Sequence, residues 1–100
     1  MRVIYSTASL MDLKEIGEWI AQESNVRSET FVEELRRACE SLGHMPRAFP
    51  RMDRPADLRR KPYKSYLIFY AILDDAVQIA RVIHAARDYM RLLFPTPPPP

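Results

Sequence analysis

The side chains best suited to chemistry lie in the second half of the chain. Lys61, Lys64, Arg81, His84 and Arg87 combine a proton carrier with four cations. Cleavage of RNA needs such a set: a base near the 2′-hydroxyl, an acid for the leaving oxygen, and positive charge on the phosphate. The spacing works against a single compact site. Alternate residues of a strand face opposite sides, so Arg81 and His84 point apart if their strand stays regular. His84 then reads as a structural histidine at a strand end, hydrogen-bonded to Asp88. Cys39 falls on the apolar side of a predicted helix, which makes it a buried core thiol rather than a nucleophile. His44 and His84 stand without paired cysteines or a His-x-x-x-His spacing, so they do not suggest zinc. Only Gly17 and Gly43 are glycine, which leaves no glycine-rich phosphate loop. The expectation is no metal and no cofactor.

The charge is unevenly placed. Residues 1–46 hold five basic and eight acidic groups, whereas residues 47–64 hold seven basic and two acidic, and residues 65–100 hold three of each. Arg47, Arg51, Arg54, Arg59, Arg60, Lys61 and Lys64 form the basic segment. Such a patch attracts nucleic acid or an acidic protein segment, or protects a strand edge from pairing with other chains. With 100 residues, 47% hydrophobic and 28% charged, the composition fits one globular domain. No stretch approaches the roughly 18 apolar residues of a membrane span. Met1–Ser9 lacks a charged region followed by a long apolar run, so no signal peptide is expected. One cysteine is compatible with a reducing compartment, and a cytoplasmic location follows as the expectation.

The elements that would position these groups follow from periodicity. Arg2–Ser6 is β-branched and aromatic, hence a strand. Ser9 and Asp12 are spaced as a capping box. Leu10, Leu13, Ile16 and Ile20 then recur at helical spacing over 9–23, with Asp12, Lys14, Glu15 and Glu18 on the other side. Gly17 inside that helix costs about 1 kcal/mol relative to Ala and permits close backbone approach. A second helix follows, capped at Ser28, with the stripe Phe31, Leu35, Ala38 and Leu42 and a Glu33–Arg37 pair. Gly43 and Pro46 end it. Pro46, Pro50 and Pro55 mark a loop, Leu58–Lys61 an edge strand, and Pro62–Ser65 a turn. Tyr66–Leu73 is an apolar run expected to be covered on both faces. Asp74-Asp75 turns the chain into a strand over Ala76–Ala85. Tyr89–Phe94 is a short helix or arm, and Pro95–Pro100 a polyproline-like tail beyond a domain of 1–94. The fold class is α+β in the order β-α-α-β-β-β, a helical hairpin on a small antiparallel sheet. Little remains to cover the second face of Tyr66–Leu73, so an open apolar face is expected there as a partner site.

Ala8…Asp12-Leu13-Lys14-Glu15-Ile16…Trp19-Ile20-Ala21 resembles the first helix of the ParE branch of the ParE/RelE toxin family. Phe31…Leu35…Cys39…Leu42…Pro46 resembles its second. Leu58-Arg59-Arg60, Tyr66-Leu67-Ile68-Phe69-Tyr70 and Ile79 through Asp88, closing in His-x-x-Arg-Asp, are similar to its sheet. The resemblance implies the toxin of a type II toxin–antitoxin pair, used in plasmid stabilisation and growth inhibition. ParE-like toxins poison DNA gyrase, whereas RelE-like toxins of the same fold cut messenger RNA on the ribosome. A uniformly uncharged Tyr66–Leu73 and a proline C-terminus depart from the RelE pattern. The expectation is therefore a gyrase inhibitor acting by binding, neutralised by a ParD-like antitoxin and reaching operator DNA only through it. A ribonuclease using Lys61, Arg81, His84 and Arg87, or a non-toxic antitoxin-binding member, are the alternatives. Arg59, Arg60, Arg81, Arg87, Tyr89, Arg91 and Phe94 are the candidate target-binding residues, although Tyr89–Phe94 would equally serve to close the core. Leu13, Trp19, Ile20, Leu35, Tyr66 and Ile68 are the candidates for the antitoxin. Trp19, at the outer margin of its stripe, is either an interface anchor or ordinary core.

Overall fold

A computed structural model describes residues 1–53 and 57–94. Arg54 and Pro55 of the basic loop and the Pro95–Pro100 tail lie outside the described residues. The elements are β1 (Arg2–Tyr5), α1 (Thr7–Ala21), α2 (Asn25–Glu40), a 3₁₀ turn (Ser41–Gly43), β2 (Arg59–Tyr63), β3 (Tyr66–Ile72), β4 (Ala76–His84) and α3 (Tyr89–Leu93). The α+β class and the succession of elements are as expected, and α3 adds one turn of helix at the end.

Both helices start one turn before the expected cap. Ser6, not Ser9, caps α1: its backbone is extended and its hydroxyl accepts from the Ser9 N–H at 3.0 Å. Ser9 instead donates back to the Ser6 carbonyl at 2.8 Å. Ser24, not Ser28, caps α2 by accepting from the Arg27 N–H at 3.1 Å. Serines recur every three or four residues here, and the one whose backbone is still extended becomes the cap. Ser28 is freed to donate to the Gly17 carbonyl of α1 at 2.6 Å. A Cβ at Gly17 would lie 3.3 Å from Val32 Cγ2, so the glycine lets the two helices meet closely.

The sheet order is β1-β4-β3-β2. β2, β3 and β4 are antiparallel neighbours as expected, but β1 joins β4 in parallel. The sheet is therefore mixed, a matter of chain direction on which strand periodicity is silent. The turn between β2 and β3 is also tighter than expected, because Pro62 and Tyr63 pair with Leu67 and Tyr66 inside the ladder. Lys64 takes the left-handed conformation there, with φ of 51°.

The helical hairpin covers one face of the sheet. Leu13, Ile16, Leu35, Cys39 and Leu42 interlock with Ile68, Tyr70, Val77, Ile79 and Val82. The other face is closed by the chain itself, which corrects the expectation of an open apolar partner site. Leu67, Phe69 and Ile83 lie beneath Met52, Leu58, Tyr89, Leu92 and Leu93. Among the described residues, no helix is long and apolar enough to cross a membrane.

Candidate functional site

Alternation along β4 sends Arg81 and His84 to different sides, but Arg81 does not stay on its own face. Its Nε and Nη2 donate to the two carboxylate oxygens of Asp12 at 2.8 and 2.9 Å. Its Nη1 reaches the Leu92 carbonyl of α3 at 3.4 Å. Asp12, expected on the solvent side of α1, is buried, and also accepts from the Val82 N–H at 2.9 Å. This bidentate partner holds the guanidinium protonated, raising its pKa further. One carboxylate thus ties α1, β4 and, through Arg81, α3. The signal in the sequence was the position of Asp12 four residues before Ile16, on the buried stripe.

Lys61 is engaged as well. Its ammonium donates to the Ala38 carbonyl at 2.9 Å and the Ser41 hydroxyl at 2.8 Å, and lies 5.4 Å from the Phe49 ring centre. It closes the C-terminus of α2, where a cation meets free carbonyls and the negative end of the helix dipole. Burial pulls its pKa down. Arg59 likewise donates to the Phe49 carbonyl at 2.7 Å. Buried Cys39 is pushed up to about 12, chiefly by burial, as suits a core thiol.

His84 sits in a cleft of about 420 Å³ between α1 and the ends of β3 and β4, lined with Glu15, Ile16, Trp19, Tyr66 and Arg87. Its Nδ1 accepts from the Ala86 N–H at 3.0 Å, so its bond is to the turn that follows and not to Asp88. Tyr66 meets the imidazole edge-on at 5.1 Å. Trp19 is 69% exposed, which removes the core-packing reading. Next to this cleft, a second of about 260 Å³ shares Trp19, Tyr66 and His84 and extends to Ile20, Phe31, Arg27 and Lys64. Lys64 there donates to Glu34 at 2.9 Å, as does the Tyr63 hydroxyl. Phe31, Arg27 and Lys64 had no place in the sequence-based partner set, because only the folded hairpin brings the α1–α2 bend beside the β2–β3 turn.

Of the six residues expected to meet a partner, Trp19, Ile20 and Tyr66 line these clefts. Leu13, Leu35 and Ile68 are buried in the chain's own core and support that surface from beneath. Of the ribonuclease set, His84 and Arg87 share a cleft, while Lys61 and Arg81 are held elsewhere. On the opposite face, Arg60 donates to the Tyr89 hydroxyl at 3.0 Å, and Tyr89 packs on Phe69 with ring centres 5.4 Å apart. Arg60, Tyr89, Met90 and Arg51 border a hollow of about 470 Å³. Arg87, Arg91 and Phe94 are exposed.

The family model for the ParE toxin of the type II toxin–antitoxin system parDE matches residues 3–89. The chain belongs to this family. The ParE match runs from the second residue of β1 through both long helices and the other three strands to the first residue of α3. Among solved structures, the chromosomal ParDE toxin–antitoxin system of P. aeruginosa is similar, with a TM-score of 0.74 at 12% identity over 84% of this chain and 95% of that one. The isolated RelE toxin of E. coli superimposes with a TM-score of 0.60 at 19% identity over 92% of this chain and 94% of that one. At such identities these two likenesses establish the fold. No curated protein sequence matches. This ParE-family chain is thus a toxin-type protein, and fold leaves its target to be argued from the site.

Proposed function

We propose that the chain arrests growth by binding DNA gyrase, and that a ParD-like antitoxin neutralises it. The observation that supports binding over RNA cleavage is the engagement of Lys61 and Arg81 by the chain's own Ala38 carbonyl, Ser41 hydroxyl and Asp12 carboxylate. A phosphate would have to displace these partners to recruit either cation, and at Arg81 would leave the buried Asp12 carboxylate without its counter-charge. The basic and aromatic groups that remain exposed, Arg60, Arg87, Arg91 and Phe94, suit docking on an acidic protein or on DNA held by gyrase. The antitoxin occupies the Trp19–Tyr66 clefts, and operator DNA is contacted through the antitoxin.

The test is antitoxin-free chain mixed with gyrase, ATP and plasmid, followed by detergent and protease to reveal trapped breaks. Linear DNA should rise with the amount of chain and fall again when antitoxin is added. Unchanged supercoiling without breaks, from folded protein, would overturn the gyrase reading. Messenger RNA cleavage on ribosomes would then indicate a RelE-like activity built around His84 and Arg87. Tight antitoxin binding without growth arrest would indicate a non-toxic family member.

A further inference from the structure

We propose that the hollow between the edge of β2 and α3 is where the target protein docks, and that it takes an acidic side chain flanked by an apolar one. This rests on the gyrase reading above and adds the chemistry of the contact. The hollow has a volume of about 470 Å³, within the range of ligand-binding clefts. One wall is built by the stretch that precedes β2, which runs back along that strand. The Met52 N–H donates to the Leu58 carbonyl at 2.8 Å, and the Arg60 N–H to the Pro50 carbonyl at 3.4 Å. Arg51, Met52 and Asp53 thereby line the hollow together with Arg60, Tyr89 and Met90.

Alternation along β2 separates the cations. Arg60 pairs with Phe69 on the α3 side of the sheet, whereas Lys61 pairs with Ile68 on the helix side. Lys61, Arg59 and Arg81 are bonded to the chain's own carbonyls, hydroxyl or carboxylate. Arg60 gives one N–H to the Tyr89 hydroxyl at 3.0 Å. Among the described residues, Arg60, Arg51 and Asp53 form no ion pair. A guanidinium carries five N–H donors, and a phenol that accepts a hydrogen bond keeps its own hydrogen to donate. Arg60 and Tyr89 thus offer adjacent donors, one charged and one neutral. A carboxylate has the two oxygens to take both.

An acidic protein segment fits this hollow better than a nucleic-acid strand. Single strands are held by bases stacking on aromatic rings. The Tyr89 ring already packs on Phe69 with centres 5.4 Å apart and meets the Arg60 guanidinium at 6.0 Å. Asp53 lines the hollow beside the two arginines, so one carboxylate is attracted while a run of phosphates meets a repelling charge. Met90, 40% exposed, and Met52 supply an apolar wall that adapts to its neighbour. The occupant is a stretch of the target with Asp or Glu beside a large apolar residue.

The test uses antitoxin-free chain and DNA gyrase without DNA, with binding read by fluorescence anisotropy of the labelled chain. The chain should bind, and Arg60→Glu should weaken the complex by about 30-fold or more. Arg51→Glu alters an exposed rim residue and should weaken it by about fivefold or more; it carries the test if Arg60→Glu does not fold. Gyrase variants selected for recovered binding to the charge-reversed chain should replace an Asp or Glu by Lys or Arg, which a purely structural effect would not produce. Unchanged affinity in the folded variants overturns this inference alone, provided the original chain still traps DNA breaks. Binding that requires DNA and is competed by a short oligothymidylate also overturns it, since that result describes a nucleic-acid site. No binding and no breaks from folded chain overturn the gyrase reading and this inference together.

Discussion

On the helix side of the sheet, long side chains from α1 and α2 interlock with β3 and β4, and Leu35, Leu42, Ile68 and Tyr70 are completely enclosed. On the other side Leu67, Phe69 and Ile83 are enclosed by a loop and by α3, a five-residue helix that buries none of its own residues and has no side-chain cap. Both faces are covered, but by elements of very different cohesion. A single turn of helix has no stability of its own in water, so α3 depends on Tyr89, Leu92 and Leu93 resting on the sheet. Stability should therefore reside with the hairpin, and the α3 side should be the one free to adapt to a target.

Deleting residues from Tyr89 onward is the strongest way to break this contrast. The truncated chain should stay folded and bind antitoxin, yet lose toxicity altogether. Growth arrest by the soluble truncated protein would show that α3 plays no part in target binding. Asp12→Ala comes next, because Asp12 joins the two sides. It strands the Arg81 guanidinium and the Val82 N–H, at a cost of about 3–5 kcal/mol in urea unfolding. Asp12→Leu combined with Arg81→Met should recover much of that loss, because neither charge is then left alone; a double variant as unstable as Asp12→Ala would argue against the pair.

The two covers can be compared directly by cavity. Leu35→Ala should cost about 2–5 kcal/mol, since the rigid hairpin cannot collapse into the void. Leu93→Ala should cost about 1 kcal/mol or less, because α3 can settle onto the gap. Equal losses would remove the asymmetry. Cys39 reports on the same hairpin without mutation. With its thiol buried and its pKa pushed up to about 12, it should resist alkylation at pH 8 until denaturant opens the core. Rapid labelling of the native protein would show that the hairpin breathes.

The smallest expected effect is at the surface. Hydrogen bonds from Lys64 and then Tyr63 lower the pKa of Glu34 below 4.5, and the bond to Glu34 raises that of Lys64 above 10.5. Stability from the carboxylate is present above 4.5 and lost as pH falls through its lowered value. Stability from the ammonium is present below 10.5 and lost as pH rises through its raised value. Glu34→Gln should flatten the acid limb slightly and leave the unfolding midpoint near neutrality almost unchanged. An unaltered acid limb would mean that solvent screens the contact fully.

How much of this was legible in the residues differs from region to region. The strands at Tyr66 and Ala76 and the stripes through Leu13 and Leu35 were readable because a period of two or 3.6 is a local property of the chain. The caps were displaced by one turn, since Ser6, Ser9, Ser24 and Ser28 offer the same hydroxyl and only backbone conformation separates them. Phe31 and Leu13 illustrate the harder case for the site: both belong to apolar stripes, yet one lines a cleft and the other is sealed in the core.

From sequence alone came the α+β class, the order of elements, the buried thiol and the family resemblance that the match over residues 3–89 establishes. Tertiary structure decided which charges are spent. Arg81 and Asp12 stand 69 residues apart, and Lys61 and Ala38 stand 23 apart, so no local pattern could pair them. It also decided the parallel entry of β1 and its early departure from β4, because strand direction and length of pairing depend on where the helices carry the chain.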